Sequence, residues 1–130
     1  MKQTLFLTLF FLSLAGCQAP QKTPPPPPTP EQILLSKVDL PRFDLQIETI
    51  RAGIGSTSKL MEVHIIFQNL AKSDTPYRYK TVWFTEDGTP LTGADSGWRG
   101  ITMNRGSNPL RLVARDDRAV DFKITVEKEK

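Results

Sequence analysis

Leu60-Met61-Glu62-Val63-His64-Ile65-Ile66-Phe67-Gln68-Asn69-Leu70 decides the fold. Met61, Val63, Ile65 and Phe67 alternate with Glu62, His64, Ile66 and Gln68. Side chains of a strand point to opposite faces with period two, so this pattern predicts a strand with one face on a core. Working back, Phe43 to Ala52 shows the same period, with Phe43, Leu45, Ile47 and Thr49 set against Asp44, Gln46 and Glu48. Gly53-Ile54-Gly55-Ser56 separates the two runs and is turn material.

Working forward, Pro76 to Glu86 alternates Tyr77, Tyr79, Thr81 and Trp83 with Arg78, Lys80, Val82 and Phe84. Both faces turn apolar near Trp83, which predicts a central strand and a core position for Trp83. Glu86-Asp87-Gly88-Thr89 reads as a tight turn in which Gly88 supplies a positive φ. Leu91 continues as a short strand, Gly93 to Gly97 is a loop, and Trp98 to Met103 is a strand. Arg105 to Pro109 reads as a turn, Leu110 to Ala114 as a strand, and Ala119 to Glu127 as the last strand. There, Val120, Phe122, Ile124 and Val126 share one face. The expectation is an all-β fold, a small immunoglobulin-like β-sandwich of six or seven antiparallel strands over residues 42–130.

The segment ahead of the sandwich has a different grammar. Lys2, the apolar run Leu5 to Ala15 and the small residues Ala15-Gly16 before Cys17 form the three parts of a signal peptide over residues 1–16. The run is eleven residues long, whereas a helix needs about 20 to span a bilayer. Leu14-Ala15-Gly16-Cys17 is similar to the lipobox of bacterial lipoproteins, in which cleavage falls between Gly16 and Cys17 and the cysteine carries lipid. A thiolate is the nucleophile this acylation needs. One acyl chain anchors only marginally, while two or three on Cys17 hold durably. Gln18, in place of the aspartate associated with inner-membrane retention, favours the outer membrane.

From Pro20 to Pro30 the chain reads PQKTPPPPPTP. Consecutive prolines fix φ and remove donors, which favours extended polyproline II. At ~3.1 Å per residue the stretch from Cys17 to Pro30 reaches about 40 Å. Residues 17–41 are therefore a lipidated, proline-rich spacer. It ends in a short helix, with Thr29 as N-cap, Pro30 in the first position and Gln32 as capping-box partner.

Val63 to Leu70, then Tyr77 to Phe84 with Asp87-Gly88, then Trp98, resemble the YcfL-like periplasmic lipoproteins. The resemblance covers about residues 43 to 127. It implies a lipid-anchored envelope protein carrying a domain of unknown function with no established chemistry. The matching positions are core and turn residues, so they speak to fold more than to activity.

Charge and residue types narrow the function. The chain has 17 Lys and Arg against 14 Asp and Glu. Loss of Lys2 with the signal leaves 16 against 14, and the charges are interspersed. Nucleic-acid binding wants basic residues clustered on one face, so no nucleic-acid partner is expected. His64 is the only histidine and Cys17 the only cysteine, which leaves no catalytic triad and no zinc site. Asp116 and Asp117 are neighbours and read as a turn. No catalytic residue, metal or cofactor is expected, beyond covalent lipid on Cys17.

Trp98, Arg99 and Tyr77 are the candidate partner-binding residues, since Trp, Tyr and Arg are enriched in binding hot spots. The competing reading folds Trp98 and Tyr77 into the core. The expected function is a non-enzymatic outer-membrane lipoprotein that presents its sandwich to an envelope protein. A peptidoglycan synthase or a secretion complex fits by analogy of layout. The alternative is a small-ligand or glycan-binding periplasmic module with an aromatic-lined groove.

Overall fold

The computed structural model describes residues 16, 20, 23–41, 44–93 and 96–130. Residues 1–15 of the signal peptide expected over 1–16 lie outside the described residues, as do Cys17, Gln18, Phe43 and Asp95. Within them, one helix, α1 (Pro30–Leu35), is followed by β1 (Val38–Asp39), β2 (Leu45–Ile54), β3 (Met61–Asn69) and β4 (Thr75–Phe84). The chain continues through β5 (Pro90–Leu91), β6 (Arg99–Met103), β7 (Gly106–Val113) and β8 (Asp121–Lys128). The two-residue β1 raises the strand number to eight, above the six or seven expected.

The strands form two sheets. One has the order β1-β8-β4-β5, with β6 also paired to β4, and the other the order β2-β3-β7. The chain changes sheet after β1, β3, β6 and β7 and so winds around a single core. Inward residues of both sheets meet there, Phe67, Val63 and Ile65 from β3 with Tyr77, Trp83, Phe122, Ile124 and Met103 from β4, β8 and β6. The rings of Trp83 and Phe122 lie 6.3 Å apart and tilted by 59°, within the range of favourable edge-to-face contact. The all-β sandwich is thus the observed fold.

Four details depart from the sequence reading. Val38 and Asp39, placed in the spacer by composition, pair in parallel with Ile124 and Thr125 of β8, so the sheet is not wholly antiparallel. In β2 the register shifts between Ile47 and Thr49. This bulge at Glu48 reverses the strand's phase, so the buried residues are Leu45 and then Ile50 rather than an unbroken odd series. β7 begins at Gly106 and runs through Pro109, which the sequence placed in a turn. Proline is tolerated because β7 is an edge strand, paired on one side only. Val120, read as inward, precedes β8 and is exposed.

Other local readings hold. Thr29 caps α1, and both hydrogen bonds of the capping box to Gln32 are present. Gly88 has φ 82° in the turn after β4, where the Gly88 amide donates to Thr85 O at 2.9 Å. Asn69 closes β3 and is buried. Its Nδ2 donates to Met103 O at 2.9 Å, and its Oδ1 accepts from the Ala71 amide at 3.0 Å. That side chain ties the crossover from β3 to the end of β6 in the opposite sheet.

Candidate functional site

The residues picked out as a binding surface divide between the two faces of one sheet. Tyr77 is only 1% exposed. It alternates with Arg78 along β4, and its ring is inward beside Met103 and Val126 in the core cluster. Its phenol is pushed above its ordinary pKa by burial first and by the nearby Asp44 second. Tyr77 is therefore a core residue and not part of a partner surface. Trp83 is also core, as expected.

Trp98 is the opposite case, at 43% exposed. It precedes β6, whose Gly100 pairs with Arg78. The Arg78 guanidinium lies 4.8 Å from the centre of the Trp98 ring. Arg78 also donates from Nη2 to Glu127 Oε2 at 2.7 Å, across the β4–β8 pair. Glu127, Arg78 and Trp98 thus form a row over the outer face of the sheet, and the arginine holds the indole in place without burying it. Arg99 follows on β6, exposed at its start.

β6 is also an edge strand of its sheet. Edge strands invite pairing with other chains and are commonly guarded by prolines, bulges or shortness. β7 carries Pro109, β2 carries its bulge, and β1 is two residues long. β6, Arg99-Gly100-Ile101-Thr102-Met103, has five residues with neither a proline nor a bulge.

A cleft of about 100 Å³ opens nearby, between β4 and β6 of one sheet and β7 of the other. Tyr79, Thr81, Trp83, Arg99, Arg111, Leu112 and Val113 line it. Arg99 pairs with Tyr79 and so shares its face of the sheet, toward the cleft. The sequence reading missed this cleft. Thr81 and Tyr79 alternate in phase with the core, and nothing in that pattern marks a gap between the sheets.

The second sheet presents a charged outer face. Arg51, His64 and Arg111 lie side by side across β2, β3 and β7. Glu62, one residue pair further along, accepts from Arg111 Nη2 at 3.1 Å and lies 3.2 Å from His64 Nε2. The Arg111 bond, then those of His64 and Ser58, hold the Glu62 carboxyl below its usual range. His64 is thus exposed on the outer face as its position in β3 predicts. Among the described residues no group of three or more His, Cys, Asp or Glu is placed to hold a metal. Asp116 forms a fork with Arg118 across the turn before β8.

At the amino-terminal end, Gly16 is exposed, and Cys17 is outside the described residues. No helix among the described residues is long and apolar enough to cross a membrane.

A family model described as a protein of unknown function, DUF1425, matches residues 36–128. The chain belongs to the DUF1425 family. Its fold is similar to the crystal structure of Campylobacter jejuni cj0090, with a TM-score of 0.60 at 22% identity, over 72% of this chain and 98% of that one. It is also similar to a DUF1425 family member from Shewanella sp. pv-4, with a TM-score of 0.57 at 13% identity, over 71% of this chain and 86% of that one. At these identities the likeness concerns the fold. No curated protein matches the chain. The matched region begins just after α1 and includes β1, in keeping with the pairing of Val38 and Asp39 to β8.

Proposed function

We propose that this DUF1425 protein is a non-enzymatic lipoprotein of the bacterial outer membrane that presents its sandwich to a protein partner in the envelope. Acyl chains on Cys17 anchor it, and the proline tract holds the domain away from the bilayer. The lipobox-like Leu14 to Cys17 and the resemblance to YcfL-like lipoproteins support the anchor. The partner surface is Trp98, Arg99 and the open edge of β6.

One observation carries the partner reading: an exposed indole held by Arg78 beside a strand edge without a guard. Edge-strand addition uses backbone hydrogen bonds for affinity and neighbouring side-chain contacts for specificity. Trp98 and Arg99 supply those contacts here. A peptidoglycan synthase or a secretion complex, each built from several envelope proteins, is the kind of partner this layout suits.

Two measurements test the proposal. Cys17→Ser is expected to accumulate as unprocessed precursor of higher mass; normal processing and membrane retention of that variant would remove the anchor. A photo-crosslinking residue at position 98 or 102 is expected to give one common adduct in intact envelopes, which the same residue at position 64 does not give. Identical adducts from all three positions would remove the β6 surface.

A further inference from the structure

Ile66 interrupts the polar side of β3. It is in phase with Glu62, His64 and Gln68 on the outer side of the strand, and it pairs with Thr49 of β2 and Pro109 of β7. The neighbouring row across the same face is Arg51, His64 and Arg111. Over these two rows lies a trench of about 770 Å³, within the range of about 300–1,000 Å³ usual for ligand sites. Ile66 and His64 of the middle strand form its floor, and side chains of β2 and β7 form its two walls.

The charges of this face do not cancel. Like charges directly opposite each other weaken a sheet, yet two guanidiniums flank His64 in one row. Glu62 accepts from Arg111 Nη2 at 3.1 Å and from Ser58 Oγ at 3.0 Å, and lies 3.2 Å from His64 Nε2. Glu48, turned across the same face, accepts from Ser107 Oγ at 2.9 Å. Neither carboxylate lines the trench. Arg51 is exposed and forms no hydrogen bond or ion pair with a described residue. Glu62 offsets Arg111, and the charge of Arg51 is left over at the wall of a trench with an apolar floor at Ile66.

We propose that this trench binds an organic acid with one carboxylate and an apolar body about the size of a six-membered ring. The Arg51 guanidinium forks onto the carboxylate, a match of planar geometries. The body lies on Ile66 and against Pro109. Arg111, held by Glu62, forms the far wall. One surplus positive charge suits a single anion; a phosphate dianion brings a second negative charge with no counterpart, close to Glu62. The site is on the outer face of the β2-β3-β7 sheet, whereas Trp98 and β6 belong to the other sheet.

Calorimetric titration of the full chain with benzoate and cyclohexanecarboxylate tests this. The controls are benzamide, which has the ring without the charge, acetate, which has the charge without the ring, and phenyl phosphate. At least one of the two ring acids is expected to bind saturably, and more tightly than all three controls. Arg51→Gln is expected to weaken that binding roughly tenfold to a hundredfold, the range for a hydrogen bond to a charged group. The ligand-free thermal midpoint of that variant should be unchanged or higher, since Arg51 has no partner to lose and a like charge leaves the row. Ile66→Thr keeps the β-branch and should bring the affinity of the ring acid down toward that of acetate. Trp98→Ala should leave binding intact. Absence of saturable binding by both ring acids, equal affinity in Arg51→Gln, or phenyl phosphate binding as tightly as benzoate would each overturn the assignment. Crosslinking at position 98 reads the partner surface separately, so either proposal can fail alone.

Discussion

Arg78 stacks over Trp98 with its guanidinium 4.8 Å from the ring centre, and the indole remains 43% exposed. The same arginine reaches Glu127 through Nη2 at 2.7 Å and Nε at 3.0 Å. The carboxylate and the ring thus hold one cation between three strands. An exposed aromatic fixed in this way has already given up much of its rotational freedom, which lowers the entropic cost of using it in an interface.

Because the pair is exposed, its contribution to stability is small. Trp98→Ala is expected to cost about 0.5–1 kcal/mol. A double-mutant cycle with Arg78→Gln, read by urea denaturation, should give a coupling of similar size. A loss several times larger would mean that Trp98 supports the core.

Tyr77, next to Arg78 on β4, provides the contrast on the opposite face of the same sheet. It is among the largest fully buried side chains. Tyr77→Ala should cost about 3–5 kcal/mol, the range for emptying an aromatic core site. In the intact protein the phenol should titrate above its ordinary value, because burial disfavours the phenolate. Ultraviolet difference spectra against pH check this, and the raised step should disappear in Tyr77→Phe.

Asn69 joins the sheets through Met103 O and Ser73 O. Asn69→Ala leaves buried backbone groups without partners and should cost about 1–3 kcal/mol. Asn69→Asp should cost more, because a carboxylate then faces two carbonyl oxygens. Chemical denaturation of the two variants orders the costs; the reverse order would contradict this hydrogen-bond assignment.

Stability should fall on the acid side. Asp116 is lowered from 3.8 to about 2 by the Arg118 side-chain hydrogen bond first and the Arg118 amide second. Glu62 is lowered by Arg111, and Asp87 by Thr85. A depressed folded pKa means that the unfolded chain binds more protons in that window, so stability rises with pH across it. The contribution is fully present at neutral pH and is lost as pH falls from about 4.5, through 3.8, to about 2. Thermal midpoints measured against pH should show this fall, and Asp116→Asn should flatten its lowest part. All three carboxyls are on the surface, so salt should reduce the effect.

Much of the fold was legible because strand alternation is a local signal. β3 and β8 needed only their own residues, and so did the turn at Gly88 and the cap at Thr29. The phase reversal in β2 was not read from the chain, because Leu45, Ile47 and Thr49 alternate without a break and the extra residue at Glu48 shows only in the pairing with β3. Pro109 misled because proline forbids a central strand but not an edge, and β7's place in the sheet depends on β3, some forty residues earlier.

From the residues alone came the two-faced strands and the turns that join them. These follow from backbone sterics and the period of the hydrophobic pattern, which act over a few residues. The tertiary structure decided which aromatic is covered. Tyr77 and Trp98 are both large rings near glycine, proline or charge in the sequence, and only the arrival of the opposite sheet over Tyr77, and of Arg78 over Trp98, separates them. The cleft at Thr81 belongs to the same class. A gap between sheets is set by how two sets of side chains fill a shared volume, and the strand that carries the unfilled position has no local mark of it.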